Sequence, residues 1–142
     1  MTESEIFLLD TNVLIYAYDK DELPKSKKAE ELLSKCFLGE IVLAISNQNL
    51  AEFVYATTRK SKLSFDQAMI NVYDIFNSKT FKKINYSAKT ILSAIEIANE
   101  FKMPFWDALL AATMRENGIF NIYTENAKDF KMPWINAINP FT

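Results

Sequence analysis

The chain has 142 residues, of which 49% are hydrophobic and 24% are charged, with only two glycines and four prolines. This length and composition predict one globular domain with a substantial core, and they exclude a disordered or fibrous protein. The formal net charge of −2 does not favour a broad basic face, so any nucleic-acid contact has to be local. The chain contains no histidine and one cysteine, which excludes imidazole catalysis, an internal disulfide and a zinc cluster of cysteine and histidine.

No segment predicts secretion or membrane insertion. The opening Met-Thr-Glu-Ser-Glu lacks the basic and long apolar regions of a signal peptide. No run approaches the roughly 18 apolar residues that a membrane span needs. We therefore expect a soluble cytoplasmic protein that forms a single domain over residues 1–142.

In the first half of the chain, short apolar runs alternate with helical patterns. Residues 6–9 and 41–45 are continuous apolar runs, which is the pattern of a strand buried on both faces. Helices are expected in this half at 13–17, from Pro24 to Phe37 before Gly39, and from the capping Ser46 through Thr57.

The second half repeats this alternation. One helix begins at Ser64 and another at Ser87, each with apolar residues at intervals of three and four. Pro104 separates the second of them from a helix at 105–112 that is apolar on nearly all sides. Strands are expected at 81–84, 120–123 and 135–138. The whole pattern predicts an α/β protein with a parallel sheet covered by helices on both faces.

Four acidic residues fall where such a fold exposes carboxylates. Right-handed crossovers place the carboxyl ends of parallel strands along one edge, where ligands of open α/β sheets bind. The acids near this edge are Asp10, Glu52, Asp107 and Asp129. Alone, each has an ordinary explanation as a helix cap, a first-turn acid, a surface residue or a loop residue. Together they would repel one another unless a divalent cation offset their charge, and such a site suits phosphodiester hydrolysis.

Four segments of the chain resemble the PIN domain family. They are Leu9-Asp10-Thr11-Asn12-Val13-Leu14-Ile15-Tyr16-Ala17, Asn49-Leu50-Ala51-Glu52-Phe53, Trp106-Asp107-Ala108-Leu109-Leu110-Ala111-Ala112 and Thr124-Glu125-Asn126-Ala127-Lys128-Asp129-Phe130. Within this family, the chain looks like a VapC-type toxin of a bacterial or archaeal toxin–antitoxin pair. The resemblance implies a three-layer α/β/α sandwich with a central parallel sheet, and a ribonuclease that depends on Mg²⁺ or Mn²⁺.

The resemblance also implies roles for the acids. Asp10 and Asp107 match the principal metal-binding aspartates, and Glu52 matches an acid that helps to hold the metal or to orient water. Asn126 stands where many family members carry a further acid. Asp129, or more weakly Glu125, is the candidate to supply that fourth carboxylate in catalysis, which leaves open whether the site takes one metal ion or two.

Thr11, Asn12 and Thr124 match polar positions of the family that support the cluster. We assign these three residues, together with Asn126, to substrate binding. The candidate phosphate contacts are the basic runs Lys25-Ser26-Lys27-Lys28, Arg59-Lys60-Ser61-Lys62 and Lys82-Lys83, although a solvated surface is the preferred explanation for each run alone. The candidate base-stacking residues are Phe105, Trp106 and Trp134, although core packing is the preferred explanation for each.

The leading hypothesis is an endoribonuclease that cuts single-stranded or looped RNA and is held inactive by a cognate antitoxin. The resemblance further implies a homodimer. The apolar residues that could form partner surfaces are Leu32, Leu33, Phe37, Val54 and Tyr55, although core packing accounts for them as well. A phosphatase of the haloacid dehalogenase type is a weaker alternative, because Asn12 stands where that chemistry needs a second acid. A catalytically inactive PIN-like module that binds RNA or protein is the alternative from another functional class.

Overall fold

The computed structural model describes residues 5–60 and 62–142. The strands are Phe7–Leu9 (β1), Leu43–Ser46 (β2), Phe81–Ile84 (β3), Asn121–Tyr123 (β4) and Asn136–Ile138 (β5). The helices are Thr11–Tyr18 (α1), Leu23–Phe37 (α2), Asn47–Arg59 (α3), Phe65–Asn77 (α4), Ala88–Phe101 (α5) and Phe105–Glu116 (α6). None of these described helices is long and apolar enough to cross a membrane. Residues 1–4, used above against a signal peptide, and Ser61 of one basic run lie outside the described residues.

The five strands form one parallel sheet in the order β3-β2-β1-β4-β5. β1 lies at its centre, where Leu8 is in register with Ala44 of β2 and with Ile122 of β4. The strand order reverses at β1, because the chain adds β2 and β3 on one side before it crosses to β4 on the other. Open α/β sheets bind ligands outside the carboxyl ends of the strands at such a reversal. The end of β1 therefore marks the expected position of a site.

Helices cover both faces of the sheet, which confirms the expected three-layer α/β/α sandwich. Leu8 packs into one core with residues of α5 and α6. Its neighbour Leu9 packs into the opposite core, which includes Val13 of α1, Phe53 of α3 and Ile75 of α4. Because both faces of β1 and β2 are covered, these strands need no polar alternation, and this explains their continuous apolar runs in the sequence.

Two capping boxes set the starts of α3 and α4, as the sequence predicted. The Ser46 and Ser64 side chains each accept a hydrogen bond from the backbone N–H three residues later. The side chains of those later residues, Asn49 and Gln67, accept in return from the N–H of the capping serine. These reciprocal bonds fix the first turn of each helix. At α3 the capping box also fixes the direction of Asn49, which reaches the candidate site.

The structure corrects the sequence-based prediction at several positions. α1 begins at Thr11 rather than at residue 13, because Asp10 caps it. A short 3₁₀ turn at Ala127–Asp129 was not predicted. Leu32 and Leu33, proposed as partner surface, are buried in the core. They contribute to folding instead, whereas Phe37 and Tyr55 of the same set are exposed and Val54 is half-buried.

Candidate active site

Asp10 lies at the carboxyl end of β1, at the strand reversal. Its backbone N–H donates to the carbonyl oxygen of Tyr123 in β4 at 3.0 Å, which extends the pairing of the two strands by one residue. Its carboxylate accepts hydrogen bonds from the Thr11 N–H and from the Thr124 hydroxyl, each at 2.8 Å. Asp10 therefore caps α1, as the ordinary structural explanation holds, and also lies where the sequence predicted a site.

Thr11 connects Glu52 to this position. The Thr11 hydroxyl donates to Glu52 Oε1 at 3.0 Å and accepts from Asn49 Nδ2 at 2.9 Å. Asn49 is fully buried, and its amide nitrogen also lies 3.5 Å from Asp10 Oδ1. Asn49 and Glu52 are three residues apart on α3, so both face the end of β1. Asn49 had no predicted role, although its spacing from Glu52 on one helix face could have indicated one.

Asp107 and Asp129 approach the same place from other elements. Asp107 lies in the first turn of α6, where a carboxylate interacts favourably with the helix dipole. Asp129 ends the 3₁₀ turn that follows β4. Salt bridges among the described residues involve other acids, namely Asp19, Asp21, Glu30, Glu31 and Glu125. In this part of the chain, no lysine or arginine neutralises the four predicted acids.

Burial and like charges raise the pKa values of three of these acids. Partial desolvation, followed by the charges of the other three acids, raises the pKa of Asp107 from 3.8 to about 6. The pKa of Asp10 is raised chiefly by burial, against the hydrogen bonds to its carboxylate, and the charge of Asp129 adds to the rise. Partial desolvation also raises the pKa of Glu52. The structure thus brings the four predicted acids within electrostatic reach of one another.

The cluster is open rather than preformed as a metal cage. Over residues 5–60 and 62–142, no three acidic, histidine or cysteine side chains lie close enough together to enclose an ion directly. Its chemistry still fits a hydrated hard cation, because every donor is an oxygen and the negative charge is not balanced by the described residues. Mg²⁺ in proteins commonly keeps several waters and contacts only one or two carboxylates. An open cluster is compatible with binding of that kind.

Glu125 is engaged outside the cluster. Its carboxylate accepts hydrogen bonds from the Tyr16 hydroxyl at 2.9 Å and from Lys25 Nζ at 2.5 Å. The hydrogen bond from Lys25 is the main reason that the pKa of Glu125 is lowered. Asp129, in contrast, acts electrostatically on both Asp10 and Asp107. Of the two candidates for the fourth carboxylate, the structure favours Asp129.

The predicted polar residues divide into two groups. Thr11 and Thr124 donate hydrogen bonds to acids of the cluster, and Thr124 is completely buried. Asn12 instead holds the loop after β4, because its Oδ1 accepts from the Glu125 N–H at 3.3 Å. Asn126 is exposed, and its backbone N–H donates to the Thr124 hydroxyl at 3.1 Å. The threonines therefore orient the carboxylates, while the asparagines shape the loop beside them.

We expect Glu125→Gln to leave the stabilisation of the protein by Mg²⁺ unchanged. The substitution weakens the pairing with Lys25. The side chains of this pair are 35% and 28% exposed, and an ion pair that solvent can reach contributes little to folding. The matched variant Asp129→Asn removes a charge from the cluster and should reduce the rise in melting temperature on adding Mg²⁺. Thermal unfolding of both variants with and without Mg²⁺ measures the difference. If only Glu125→Gln showed a smaller rise in melting temperature on adding Mg²⁺, Glu125 rather than Asp129 would be the fourth carboxylate of the cluster.

The fold and the cluster together define a class of protein. It is a parallel α/β sandwich that gathers carboxylates, without histidine, at the strand reversal of its sheet. The chain belongs to the PIN domain family, whose family model matches residues 7–132. Comparison with curated protein sequences finds no match.

Solved structures that share this fold include proteins of toxin–antitoxin pairs. A toxin–antitoxin complex from Klebsiella pneumoniae is 23% identical with a TM-score of 0.67, over 94% of this chain and 97% of that chain. The sarcin–ricin loop cleaving toxin VapC20 of Mycobacterium tuberculosis is 22% identical with a TM-score of 0.65, over 92% of both chains. VapBC2 from Rickettsia felis, bound to a promoter DNA fragment, is 23% identical with a TM-score of 0.65, over 94% and 98%. At these identities the similarity establishes the fold.

Proposed function

We propose that this protein is a metal-dependent endoribonuclease that cuts single-stranded or looped RNA, and the toxin of a VapBC-type toxin–antitoxin pair. The observation that carries the proposal is the convergence of Asp10, Glu52, Asp107 and Asp129 at the strand reversal of a PIN-family sheet. The pKa of Asp107, raised to about 6, reflects the repulsion and desolvation that this arrangement costs. A cluster of this kind opposes folding unless a cation offsets its charge.

Mg²⁺ or Mn²⁺ would be held by water and by one or two carboxylates from the set Asp10, Asp107 and Glu52. The bound ion would polarise a phosphate oxygen and lower the pKa of a coordinated water. Thr11 and Thr124 orient the carboxylates through the hydrogen bonds described above. Glu52 is exposed, so its carboxylate can reach the attacking water and orient it by accepting a hydrogen bond. Attack by water on the phosphate would leave a 5′-phosphate and a 3′-hydroxyl.

A protein antitoxin and a homodimeric state complete the proposal. The structural relatives named above are a toxin–antitoxin complex, a VapC toxin and a VapBC complex. An exposed apolar face on α4 supports a protein partner, and its residues are Phe65, Met69, Ile70, Tyr73 and Phe76. The sequence of α4 has apolar residues at intervals of three and four, yet only Ala68 and Ile75 of this helix are buried. Apolar faces of this extent are typical of interaction surfaces.

Cleavage of a mixed RNA pool tests the proposed function. Purified protein is incubated with the pool in Mg²⁺ or Mn²⁺, or in EDTA, and Asp107→Asn is assayed in parallel. We expect cleavage with either metal, none in EDTA and a large loss in the variant. Equal cleavage by the wild type and the variant would indicate a contaminating nuclease.

A negative result also distinguishes between the two function classes. If the wild type cuts no RNA and gains no thermal stability from either metal, the inactive PIN-like module that binds RNA or protein becomes the better explanation. Stabilisation by metal without cleavage of the pool would instead point to a nuclease with a narrow target.

A further inference from the structure

The start of α6 exposes two aromatic side chains beside the acidic cluster. Phe105 and Trp106 directly precede Asp107, and 36% and 58% of their surfaces are exposed. The core packing preferred for them in the sequence analysis is therefore wrong. It holds for Trp134, which packs against the core and lies under Arg115, with the guanidinium carbon 4.9 Å from the ring centroid. Tryptophan is highly buried on average, so the exposure of Trp106 needs an explanation.

A contact between the two rings and a hydrogen bond from α3 fix the position of Phe105 and Trp106. The rings of Phe105 and Trp106 meet edge to face, with their centroids 5.5 Å apart and their planes at 70°. The carbonyl oxygen of Trp106 accepts a hydrogen bond from Gln48 Nε2 at 3.2 Å. Gln48 belongs to the first turn of α3, the helix that carries Glu52. The backbone of the pair is thus tied to both helices that supply acids to the site.

We propose that Trp106, supported by Phe105, is a stacking surface for an unpaired nucleobase next to the scissile phosphate. This inference rests on the proposed nuclease function and specifies how its substrate is held. Consecutive Cα atoms are about 3.8 Å apart, so a strand whose phosphate lies at Asp107 can place a neighbouring base on the indole. Bases in a duplex are already stacked on one another, whereas an unpaired base can be splayed onto an aromatic side chain. Trp106 therefore selects unpaired RNA rather than a particular base.

The charge of the site favours a base over a phosphate as the ligand of this surface. The adjoining cluster is acidic and repels the RNA backbone, so affinity here has to come from a contact that does not depend on attraction of phosphates. Stacking on an indole meets this requirement, because every base has a π face. Loss of Trp106 should then weaken binding without changing its dependence on salt, since that dependence reports the number of neutralised phosphates.

Fluorescence anisotropy of a labelled oligoadenylate of about ten nucleotides tests the inference. Ca²⁺ replaces Mg²⁺ so that the strand is bound without being cut, and a gel confirms that it stays intact. The variants are Trp106→Ala and the conservative Trp106→Phe, with Leu92→Ala as a matched control. Leu92 is 65% exposed on α5, two residues after Thr90, whose hydroxyl donates to Glu116 at the opposite end of α6. An oligonucleotide of the same length without bases serves as the second probe.

We expect Trp106→Ala to raise the dissociation constant of oligoadenylate at least about tenfold, with an unchanged salt slope. Trp106→Phe should remain within about threefold of the wild type, because a phenyl ring retains a stacking face. Leu92→Ala should not differ from the wild type, and Trp106→Ala should not affect binding of the strand without bases.

Two results would overturn the inference while leaving the nuclease function in place. One is unchanged oligoadenylate binding by Trp106→Ala in a protein whose wild type cuts the RNA pool. The other is the same loss of binding with and without bases. If Trp106→Ala instead shifts the oligomeric state in analytical ultracentrifugation without affecting RNA binding, the surface contacts protein rather than RNA. A wild type that neither binds nor cuts RNA removes the proposed function and this inference together.

Discussion

Asp10→Asn is expected to lower the rate of metal-dependent RNA cleavage at least about 100-fold while the fold is retained. The amide oxygen of asparagine can still accept from the Thr11 N–H, so the cap of α1 is preserved. The amide nitrogen can donate to the Thr124 hydroxyl, which reverses the direction of the present hydrogen bond. The variant therefore loses the central charge of the cluster with little change of shape.

The stability of Asp10→Asn separates a loss of chemistry from a loss of structure. Burial raises the pKa of Asp10, which means that the ionised form is unfavourable in the folded protein. The neutral variant should thus unfold at a temperature at least as high as that of the wild type when both are free of metal. Asp21→Asn is the matched control, because Asp21 is an exposed acid that pairs with Lys62 rather than with the cluster. Cleavage by Asp10→Asn within about threefold of the wild type would exclude Asp10 from the reaction.

The local sequence was sufficient to predict the elements and the position of Asp10. A buried parallel strand has a continuous apolar run, and a carboxylate directly after such a run falls at the carboxyl edge of the sheet. The apolar sequence of α6 was equally informative, because every residue from Ala108 to Met114 is buried. In both segments the apolar residues share a buried environment. Their pattern therefore predicts the element without knowledge of what packs against it.

Roles that depend on contacts distant in sequence could not be predicted in the same way. Asn49 reaches Thr11 across 38 residues of sequence. Glu125 accepts a hydrogen bond from Lys25, which is 100 residues away in sequence, and is not part of the acidic cluster. Nothing in the segment around Glu125 indicates this lysine. The sequence alone therefore does not decide whether Glu125 or Asp129 supplies the fourth carboxylate.

The α4 helix and Trp106 show a different limit. The apolar spacing of α4 is that of a core helix, since amphipathic helices look alike in sequence whether this chain or a partner covers their apolar face. Trp106 likewise lies in the first turn of α6, two residues before the buried stretch that starts at Ala108, and its side chain is exposed. The sequence shows which residues are apolar, whereas the tertiary structure decides which of them remain exposed.

The metal-free protein is expected to lose stability as the pH rises from about 4 to about 6, and Mg²⁺ is expected to restore it. The pKa of Asp107 is about 6 in the folded protein, above its ordinary value of 3.8. Between these values the folded state binds more protons than the unfolded chain, so the free energy of unfolding falls as the pH rises. Above about pH 6 the loss of stability caused by ionised Asp107 is complete. The pKa values of Asp10 and Glu52 are also raised, so their ionisation lowers the stability of the metal-free protein as well.

The size of this fall in the free energy of unfolding depends on how far Asp107 is exposed to solvent. A rise in pKa from 3.8 to about 6 corresponds to about 3 kcal/mol for a fully buried group. Asp107 is only half-buried, and solvent screening reduces the expected effect to about 1–2 kcal/mol. Asp107→Asn should therefore be more stable than the wild type by about this amount in EDTA near pH 7, and the difference should shrink toward pH 4.

Urea denaturation of the wild type and Asp107→Asn, in EDTA and in Mg²⁺, measures both parts of this prediction. An ion that binds only the folded state adds to the free energy of unfolding. Mg²⁺ should thus stabilise the wild type strongly and the variant weakly. The difference in free energy of unfolding between the two proteins should therefore become smaller or change sign. If the wild type is already the more stable protein in EDTA near pH 7, the fold itself balances the charge of the cluster. The case for a metal ion would then fail, because the carboxylates would need no cation to offset them.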